Sequence, residues 1–216
     1  MTTPGAHQGQ RVYTAGKALH EAQGAMILVH GRGASAEDIL TLASELHHLD
    51  LAYLAPQAAG NTWYPHSFLM PLVQNEPYLS SALQRVGEVL AQVEAAGIPA
   101  ERVIIGGFSQ GACLASEFVA RNAQRYGGLL VFSGGLIGPP GTPRDYAGSL
   151  ADTPVFLGCS DVDFHIPAAR VTESAEVLRR MGGQVTAKLY PKMGHTINAD
   201  ELAHARQIVN HLLHKA

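Results

Sequence analysis

The sequence is poor in cysteine and contains no long apolar run. Its two cysteines, Cys113 and Cys159, form no C-x-x-C motif and no Cys/His pairing at zinc spacing, which argues against a disulfide framework and a structural metal site. No segment approaches the roughly 20 apolar residues of a membrane-spanning helix. The first residues lack the charged start and apolar run of a signal peptide. We therefore expect a reduced, cytoplasmic protein without stable membrane insertion.

Charge is also scarce, since only 15% of residues are charged and the formal net charge is −3. No stripe of lysine or arginine is present, so nucleic acid is excluded as an expected partner. Apolar residues make up 46% of the chain, which is typical of a globular protein. Without repeats, low-complexity tracts or a linker-like change in composition, residues 1–216 are predicted to form a single domain.

Short β-rich apolar segments alternate with segments of helical length. The predicted strands are residues 11–16 (a weaker edge strand), 25–31, 52–58, 102–108, 128–135, 153–161 and 185–191. The predicted helices lie in 36–49, 77–97, 109–127, 169–183 and 198–215. This alternation predicts an α/β fold with a mostly parallel central sheet and helices on both faces. Functional groups are then expected where loops leave the carboxyl ends of the strands.

Ser109 lies in the sequence GFSQG, between a predicted strand and a predicted helix with no loop between them. The G-x-S-x-G pentapeptide alone is a weak signal in a chain with 23 glycines. The strand–turn–helix context strengthens it, because such a turn exposes a strained serine at a helix N-terminus. Ser109 is therefore predicted to be a catalytic nucleophile, and a serine that only serves a tight turn is the alternative.

A nucleophilic serine needs a base and an acid that orients the base, here expected in the order Ser, Asp, His. Asp161 and Asp163 follow a later strand, and we favour Asp163 as the acid and Asp161 as a turn-forming neighbour. His195 follows Gly194 after the last predicted strand, which makes it the predicted base. His165 is close enough along the chain to Asp163 to compete for this role.

An oxyanion hole is expected from two backbone N–H groups. Gln110, directly after the serine, is predicted to supply one, and Arg32 in the loop VHGRGAS is predicted to supply the other. His30 is interpreted as a brace of that loop. For the Arg32 side chain two alternatives remain open, namely contact with a substrate carboxylate or exposure to solvent.

With these four motifs in order, the chain resembles the carboxylesterase/acyl-protein thioesterase family of α/β-hydrolases, also called phospholipase/carboxylesterases. The resemblance extends over about residues 24–213. It implies that Ser109, Asp163 and His195 form the triad, with Arg32 and Gln110 at the oxyanion hole, and that homodimers are possible. The family's eukaryotic thioesterases usually carry an apolar residue at the position of Arg32. Residues 61–79 look more like those of bacterial members.

The substrate side is less well defined by the sequence. No cap domain fits between the predicted elements, so an open site is expected. Residues 61–79 have no clean period and form either a core-packing loop or the apolar wall of an acyl pocket. In the second interpretation Trp63, Phe68 and Met70 would contact the substrate, together with His165.

The sequence thus predicts a serine hydrolase acting on small-molecule acyl esters or thioesters without a metal or cofactor. Three alternative activities could use the same triad, namely those of a lysophospholipase, an acyl-protein thioesterase and a peptidase. A non-catalytic binding protein on a hydrolase scaffold is the alternative from another class.

Overall fold

The structure is a computed structural model that describes residues 5–214. Residues 1–4 and 215–216 lie outside the described residues. They include the start of the segment interpreted as lacking a signal peptide and the last residue of the final predicted helix, residue 215. The strands are Val12–Gly16 (β1), Gly24–Val29 (β2), Leu51–Pro56 (β3), Val103–Phe108 (β4), Gly128–Phe132 (β5), Pro154–Ser160 (β6) and Gln184–Tyr190 (β7). All seven predicted strands are therefore present.

The seven strands form one sheet in the order β1-β3-β2-β4-β5-β6-β7. β1 pairs antiparallel with β3 at one edge, and every other pair is parallel. Every residue of β2, β3 and β5 is buried, as expected for strands covered on both faces. β7 at the other edge alternates between exposed and half-buried residues. The carboxyl ends of β2, β4, β5, β6 and β7 consequently meet along one edge of the sheet.

Within the described residues, six α-helices flank this sheet. They are Ala36–Leu40 (α1), Leu42–Glu45 (α2), Tyr78–Ala95 (α3), Gln110–Arg121 (α4), Ala168–Arg180 (α5) and Ala199–His214 (α6). Apolar side chains of α3, α4 and α5 belong to one buried cluster, and those of α1, α2 and α6 belong to a second. The two clusters lie on opposite sheet faces, which confirms the predicted α/β class with helices on both sides.

The first predicted helix is shorter than the sequence pattern indicated. It begins as expected, with Ser35 and Asp38 forming a reciprocal capping box. It is interrupted at Thr41 and ends at Glu45, instead of continuing to residue 49. The buried Tyr53 hydroxyl donates to the Leu46 carbonyl and accepts from the His48 N–H, so a side chain from β3 terminates the helix.

The connection between β5 and β6, residues 133–153, contains turns but no helix. A buried polar network holds it against α4 and α5. The Glu117 carboxylate accepts from the Ile137 N–H, and the Arg170 guanidinium donates to the carbonyls of Leu136 and Gly138. Within residues 5–214, no helical insertion covers the carboxyl edge of the sheet, and no helix is long and apolar enough to cross a membrane.

Candidate active site

Ser109 occupies the turn between β4 and α4. Its backbone dihedrals are φ 56° and ψ −119°, which is a strained conformation for a residue with a side chain. The Ser109 N–H donates to the Phe132 carbonyl at 2.9 Å, and the Ser109 carbonyl accepts from Cys113 at 3.0 Å. These bonds fix the turn at the end of β5 and in the first turn of α4. The serine side chain is thereby presented at the carboxyl edge of the sheet.

Gly107 and Gly111, one on either side of Ser109, allow α4 to approach β2 closely. A Cβ atom on Gly107 would lie 2.5 Å from the Val29 carbonyl oxygen, and one on Gly111 would lie 2.0 Å from the same atom. Both distances are far below van der Waals contact. The glycines of GFSQG are therefore required by backbone packing at this turn.

Ser109, His195 and Asp163 are brought together from three separate loops. The His195 Nε2 atom lies 2.9 Å from Ser109 Oγ, and His195 Nδ1 lies 2.6 Å from Asp163 Oδ2. Asp161 instead accepts from the Lys192 N–H at 2.8 Å and stabilises a turn. The geometry is that of a nucleophile, a base and an orienting acid. The catalytic roles of the three residues stay a prediction.

The environment of Asp163 keeps its carboxylate ionised. Its side chain is fully buried, and Oδ1 accepts from the N–H groups of His165 and Ile166. Burial raises the pKa of Asp163. The hydrogen bonds from His195 and from the two backbone N–H groups together lower it by more, so the pKa lies below its ordinary value. Because an ionised carboxylate only accepts, Nδ1 of His195 carries the proton and Nε2 presents its lone pair to Ser109.

The imidazole of His195 is positioned by its own loop and by two neighbouring rings. Gly194 has a φ of +83°, which favours glycine, and its N–H donates to Ser160 Oγ at 3.2 Å. The Phe108 ring lies 4.8 Å from the imidazole, and the His165 ring meets it edge-on at 4.9 Å. His165, the other candidate for the base, thus lies beside His195. It donates to the Asp163 carboxylate through its backbone N–H, whereas the imidazole that bonds this carboxylate is that of His195.

The two backbone N–H groups predicted for the oxyanion hole are both available. Among the hydrogen bonds of the described residues, neither the Gln110 nor the Arg32 N–H has an acceptor. The Gln110 side chain is buried and ties α4 to the loop after β3, because it accepts from the Trp63 N–H and donates to the Tyr64 carbonyl. Sequence reasoning had assigned no role to that side chain.

The loop that carries Arg32 is braced by His30, in agreement with its sequence interpretation. The fully buried His30 donates through Nδ1 to the Gly31 carbonyl and accepts from the Ala58 N–H through Nε2. Its ring packs 5.0 Å from Trp63, whose indole N–H donates to the His30 carbonyl. Burial lowers the pKa of His30, so the ring is held neutral.

The Arg32 side chain is exposed, but it does not extend freely into solvent, and contact with a substrate carboxylate stays a prediction. Its guanidinium donates to the Pro65 carbonyl at 2.9 Å and to the His66 carbonyl at 2.7 Å. These bonds connect the loop after β2 with the loop after β3 across the site. The side chain is thereby held at the cavity instead of extending freely into solvent.

A cavity of about 610 Å³ opens beside Ser109. Phe68 and His165 line it, as the sequence analysis expected for substrate-binding residues. Trp63 and Met70 do not line it, and their expected substrate contact needs correction. Trp63 is fully buried under His30, which is the core-packing alternative, and Met70 is 38% exposed on the outside of the loop. Tyr64 contributes the aromatic wall expected of Trp63.

Glu201 is a buried carboxyl group near the site that sequence reasoning missed. Its Oε2 accepts from the Asn198 N–H, while the Asn198 side chain accepts from the Glu201 N–H, which forms a capping box at the start of α6. Oε1 is buried with no hydrogen-bond partner among the described residues and packs over Gly158. The N-x-x-E spacing at residues 198–201 is the signal that could have identified this pair.

Replacing Glu201 with glutamine should flatten the pH dependence of stability. Burial raises the pKa of Glu201 from 4.5 to about 7. A group with a raised folded-state pKa stabilises the fold fully below about pH 4.5, and this contribution is lost as pH rises through about 7. The wild-type free energy of unfolding should therefore fall by about 3 kcal/mol more than that of Glu201→Gln across this window.

Urea denaturation of both chains at closely spaced pH values measures this difference. Other titrating groups are common to the two proteins, so the difference curve isolates Glu201. Parallel curves from pH 4.5 to 8 would show that Glu201 is not held in its neutral form by the fold.

No group of three histidine, cysteine, aspartate or glutamate side chains within residues 5–214 is arranged to hold a metal ion. The two cysteines are both buried, and burial raises the pKa of each thiol to about 12. Cys113 reaches the cavity, but as a neutral thiol it is a poor nucleophile. Ser109 is thus the nucleophile that the geometry of this cavity favours.

Comparison with known proteins identifies the family of the chain. Residues 15–213 match the family described as Phospholipase/Carboxylesterase. A crystal structure of a phospholipase/carboxylesterase from Dyadobacter fermentans is 43% identical, with a TM-score of 0.91 over 96% of this chain and 100% of that one.

Curated relatives are more distant. Acyl-protein thioesterase 1 of Debaryomyces hansenii is 30% identical over 125 residues, or 57% of this chain and 54% of that protein. A rice protein named as a probable inactive carboxylesterase is 27% identical over 67% of this chain and 59% of its own length. The chain spans about half the length of the curated relatives it matches. From the extent of the family match and the 43% identical structure, the chain belongs to the phospholipase/carboxylesterase family of α/β-hydrolases.

Proposed function

We propose that this protein is a serine hydrolase that cleaves carboxylic esters or thioesters of small or medium acyl substrates through an acyl-enzyme. The observation that carries the proposal is the continuous hydrogen-bonded chain from Ser109 Oγ through His195 to Asp163. It lies at a cavity where the Gln110 and Arg32 N–H groups have no acceptor among residues 5–214. Family membership supports a hydrolase in general, and the triad supports this specific chemistry.

In the proposed mechanism, His195 Nε2 removes the proton from Ser109 Oγ as that oxygen attacks the substrate carbonyl carbon. The N–H groups of Gln110 and Arg32 stabilise the negative oxygen of the tetrahedral intermediate. When the intermediate collapses, His195 returns the proton to the leaving alcohol or thiol. Water activated by the same imidazole then releases the acyl group from Ser109.

Asp163 contributes by fixing the imidazole and by stabilising its protonated form. Its depressed pKa means that the carboxylate is already ionised when His195 accepts the serine proton. The bond between Asp163 and His195 also selects the tautomer that leaves Nε2 free. No step of this mechanism requires a metal ion or an organic cofactor.

Thioester hydrolysis at protein-bound acyl groups is a second candidate, favoured by the name of the Debaryomyces hansenii relative. An open cavity without a helical cover is compatible with an acyl group carried by a larger molecule. Arg32 weakens this candidate, because eukaryotic thioesterases of the family usually carry an apolar residue at this position. The ester and thioester activities share the same triad and differ only in the leaving group.

A substrate panel tests the proposal. The purified protein should hydrolyse 4-nitrophenyl acetate and butyrate, and matched acetyl and butyryl thioesters, but not the corresponding 4-nitroanilides. A lack of turnover on every ester and thioester, by a protein that is folded by circular dichroism, would favour an idle triad on a hydrolase scaffold. Cleavage of the anilides alone would indicate a peptidase instead.

A further inference from the structure

The cavity beside Ser109 has an uneven charge distribution. No aspartate or glutamate is among the described residues that line it, although the chain as a whole carries a net charge of −3. Arg32 and the imidazole groups of His66 and His165 lie around it, and all three residues are exposed. Apolar side chains, including Phe68 and Ile166, form other parts of the wall. The cavity wall therefore combines hydrogen-bond donors with apolar side chains and contains no carboxylate among the described residues that line it.

Arg32 is held in place without being neutralised. Its two hydrogen bonds run to the uncharged carbonyl oxygens of Pro65 and His66. Those bonds use two of the five N–H donors of a guanidinium, so the remaining donors are available to a ligand. Because the side chain is already ordered, a bound anion does not have to overcome the full entropy of fixing it.

Asp163 and Asp38, the acidic side chains of the acid loop and of the start of α1, have partners other than Arg32. Both oxygens of Asp163 are used by His195 and by the N–H groups of the acid loop, and its side chain is fully buried. Asp38 is bound to Ser35 at the start of α1. Within the described part of the chain, Arg32 thus has carbonyl partners but no carboxylate partner.

We propose that the substrate carries a carboxylate or phosphate group near its scissile ester or thioester, and that the Arg32 guanidinium binds this group. This inference rests on the proposed function and narrows its substrate class. The Arg32 N–H belongs to the proposed oxyanion hole, so the same residue contacts the reacting carbonyl through its backbone and the anion through its side chain. The apolar wall at Phe68 and Ile166 accommodates the hydrocarbon part of the substrate.

Two pairs of chromogenic esters test the inference and locate the anion. On the acyl side, mono(4-nitrophenyl) adipate is compared with 4-nitrophenyl hexanoate, which has the same chain length. On the leaving-group side, 5-acetoxy-2-nitrobenzoate is compared with 4-nitrophenyl acetate. In one of the two pairs, the anionic ester should have a kcat/KM at least about tenfold higher than its neutral partner, as expected for hydrogen bonds to a charged group.

Arg32→Gln and Arg32→Lys form a matched pair of variants. Both retain the backbone N–H, and only lysine retains the positive charge. The anionic-to-neutral ratio of kcat/KM should fall about tenfold in Arg32→Gln and should remain higher in Arg32→Lys. Loss of the links to residues 65 and 66 would lower the rates for both esters, so the ratio separates anion binding from a merely structural role.

Ionic strength provides a readout that needs no variant. Raising NaCl from about 0.02 M to about 0.5 M should reduce the ratio of kcat/KM for the anionic ester to that for the neutral ester in the wild type, because salt screens exposed charges. A wild-type ratio near one in both pairs, or an equal ratio in wild type and Arg32→Gln, would overturn the inference. Turnover of the neutral esters in that case would leave the proposed function intact, whereas failure of all four esters would contradict the proposed function itself.

Discussion

Replacing Ser109 or His195 with alanine should each lower kcat/KM for an activated ester by roughly 10⁴-fold or more. The serine variant lacks the nucleophile, and the histidine variant lacks the group that removes its proton across the 2.9 Å contact. Because the two side chains act as one unit, the double variant should be no slower than the slower single variant. Initial rates with 4-nitrophenyl acetate measure all three effects.

The control for these variants is the fold. Neither side chain belongs to either buried apolar cluster, so both variants should retain the far-ultraviolet spectrum of the wild type. The Tm of Ser109→Ala should remain close to that of the wild type, whereas His195→Ala should have a lower Tm because the buried Asp163 carboxylate loses a hydrogen bond. A single variant that retains most of the activity while folded would exclude the corresponding residue from the reaction. If the loss of kcat/KM in the double variant equalled the product of the two single losses, the two side chains would act independently. That result would contradict a coupled nucleophile and base.

Gly111→Ala should disrupt the turn itself. The added methyl group would lie 2.0 Å from the Val29 carbonyl oxygen and 2.5 Å from that of His30, both of which are backbone atoms. Relief of this overlap requires α4 to move away from β2, at a cost of about 3 kcal/mol or more. For a chain of this length, this corresponds to a decrease in Tm of roughly 6–12 °C.

The same displacement should also reduce activity, because Gln110 lies on α4 and Arg32 follows β2. Separating these elements separates the two N–H groups of the proposed oxyanion hole. Any Gly111→Ala protein that folds should show a lower kcat for esters than the wild type, measured well below its Tm.

Gly87→Ala is a matched control on α3. There the added methyl group would meet the Phe118 ring edge at 3.4 Å, an ordinary contact. Because alanine is a better helix former than glycine, this variant should be up to about 1 kcal/mol more stable than the wild type. Equal Tm changes in the two alanine variants would contradict the close approach of α4 and β2.

Much of the fold and the candidate site was predictable from periodicity and order along the chain. Fully apolar segments such as β2 and β5 require cover on both faces, so their alternation with helices left few alternatives to a parallel sheet. The carboxyl ends of parallel strands meet at one edge, which is why Asp163 and His195 could be associated with Ser109 from their positions after later strands. Positions of this kind depend only on backbone topology, which the order of strands along the chain determines.

Side-chain orientations outside regular elements were not predictable in the same way. Residues 61–79 lack a hydrophobic period, so the sequence does not indicate which of two neighbouring aromatic residues lines the cavity. Both Trp63 and Tyr64 are buried, and only Tyr64 lines the cavity. The hydrogen bonds from Arg32 to the carbonyls of residues 65 and 66 depend on the distance between two loops in the folded protein. The spacing of residues along the chain does not predict this distance. Glu201 differs, since its capping motif was visible but its complete burial depends on packing against Gly158.

Family membership alone does not decide whether the site is chemically competent. A rice relative that matches 67% of this chain is named as a probable inactive carboxylesterase. The claim that matters most is therefore that Ser109 is an activated nucleophile in this protein. A reagent that reacts only with an activated serine addresses this claim without requiring knowledge of the substrate.

The most direct measurement is covalent labelling by a fluorophosphonate, followed by peptide mass spectrometry. We expect one phosphonyl group per chain, located on Ser109, with labelling absent in Ser109→Ala and strongly slowed in His195→Ala because the base is missing. Labelling of a different residue, undiminished labelling of Ser109→Ala, or no labelling of the folded wild-type protein would contradict the assignment of Ser109 as the nucleophile.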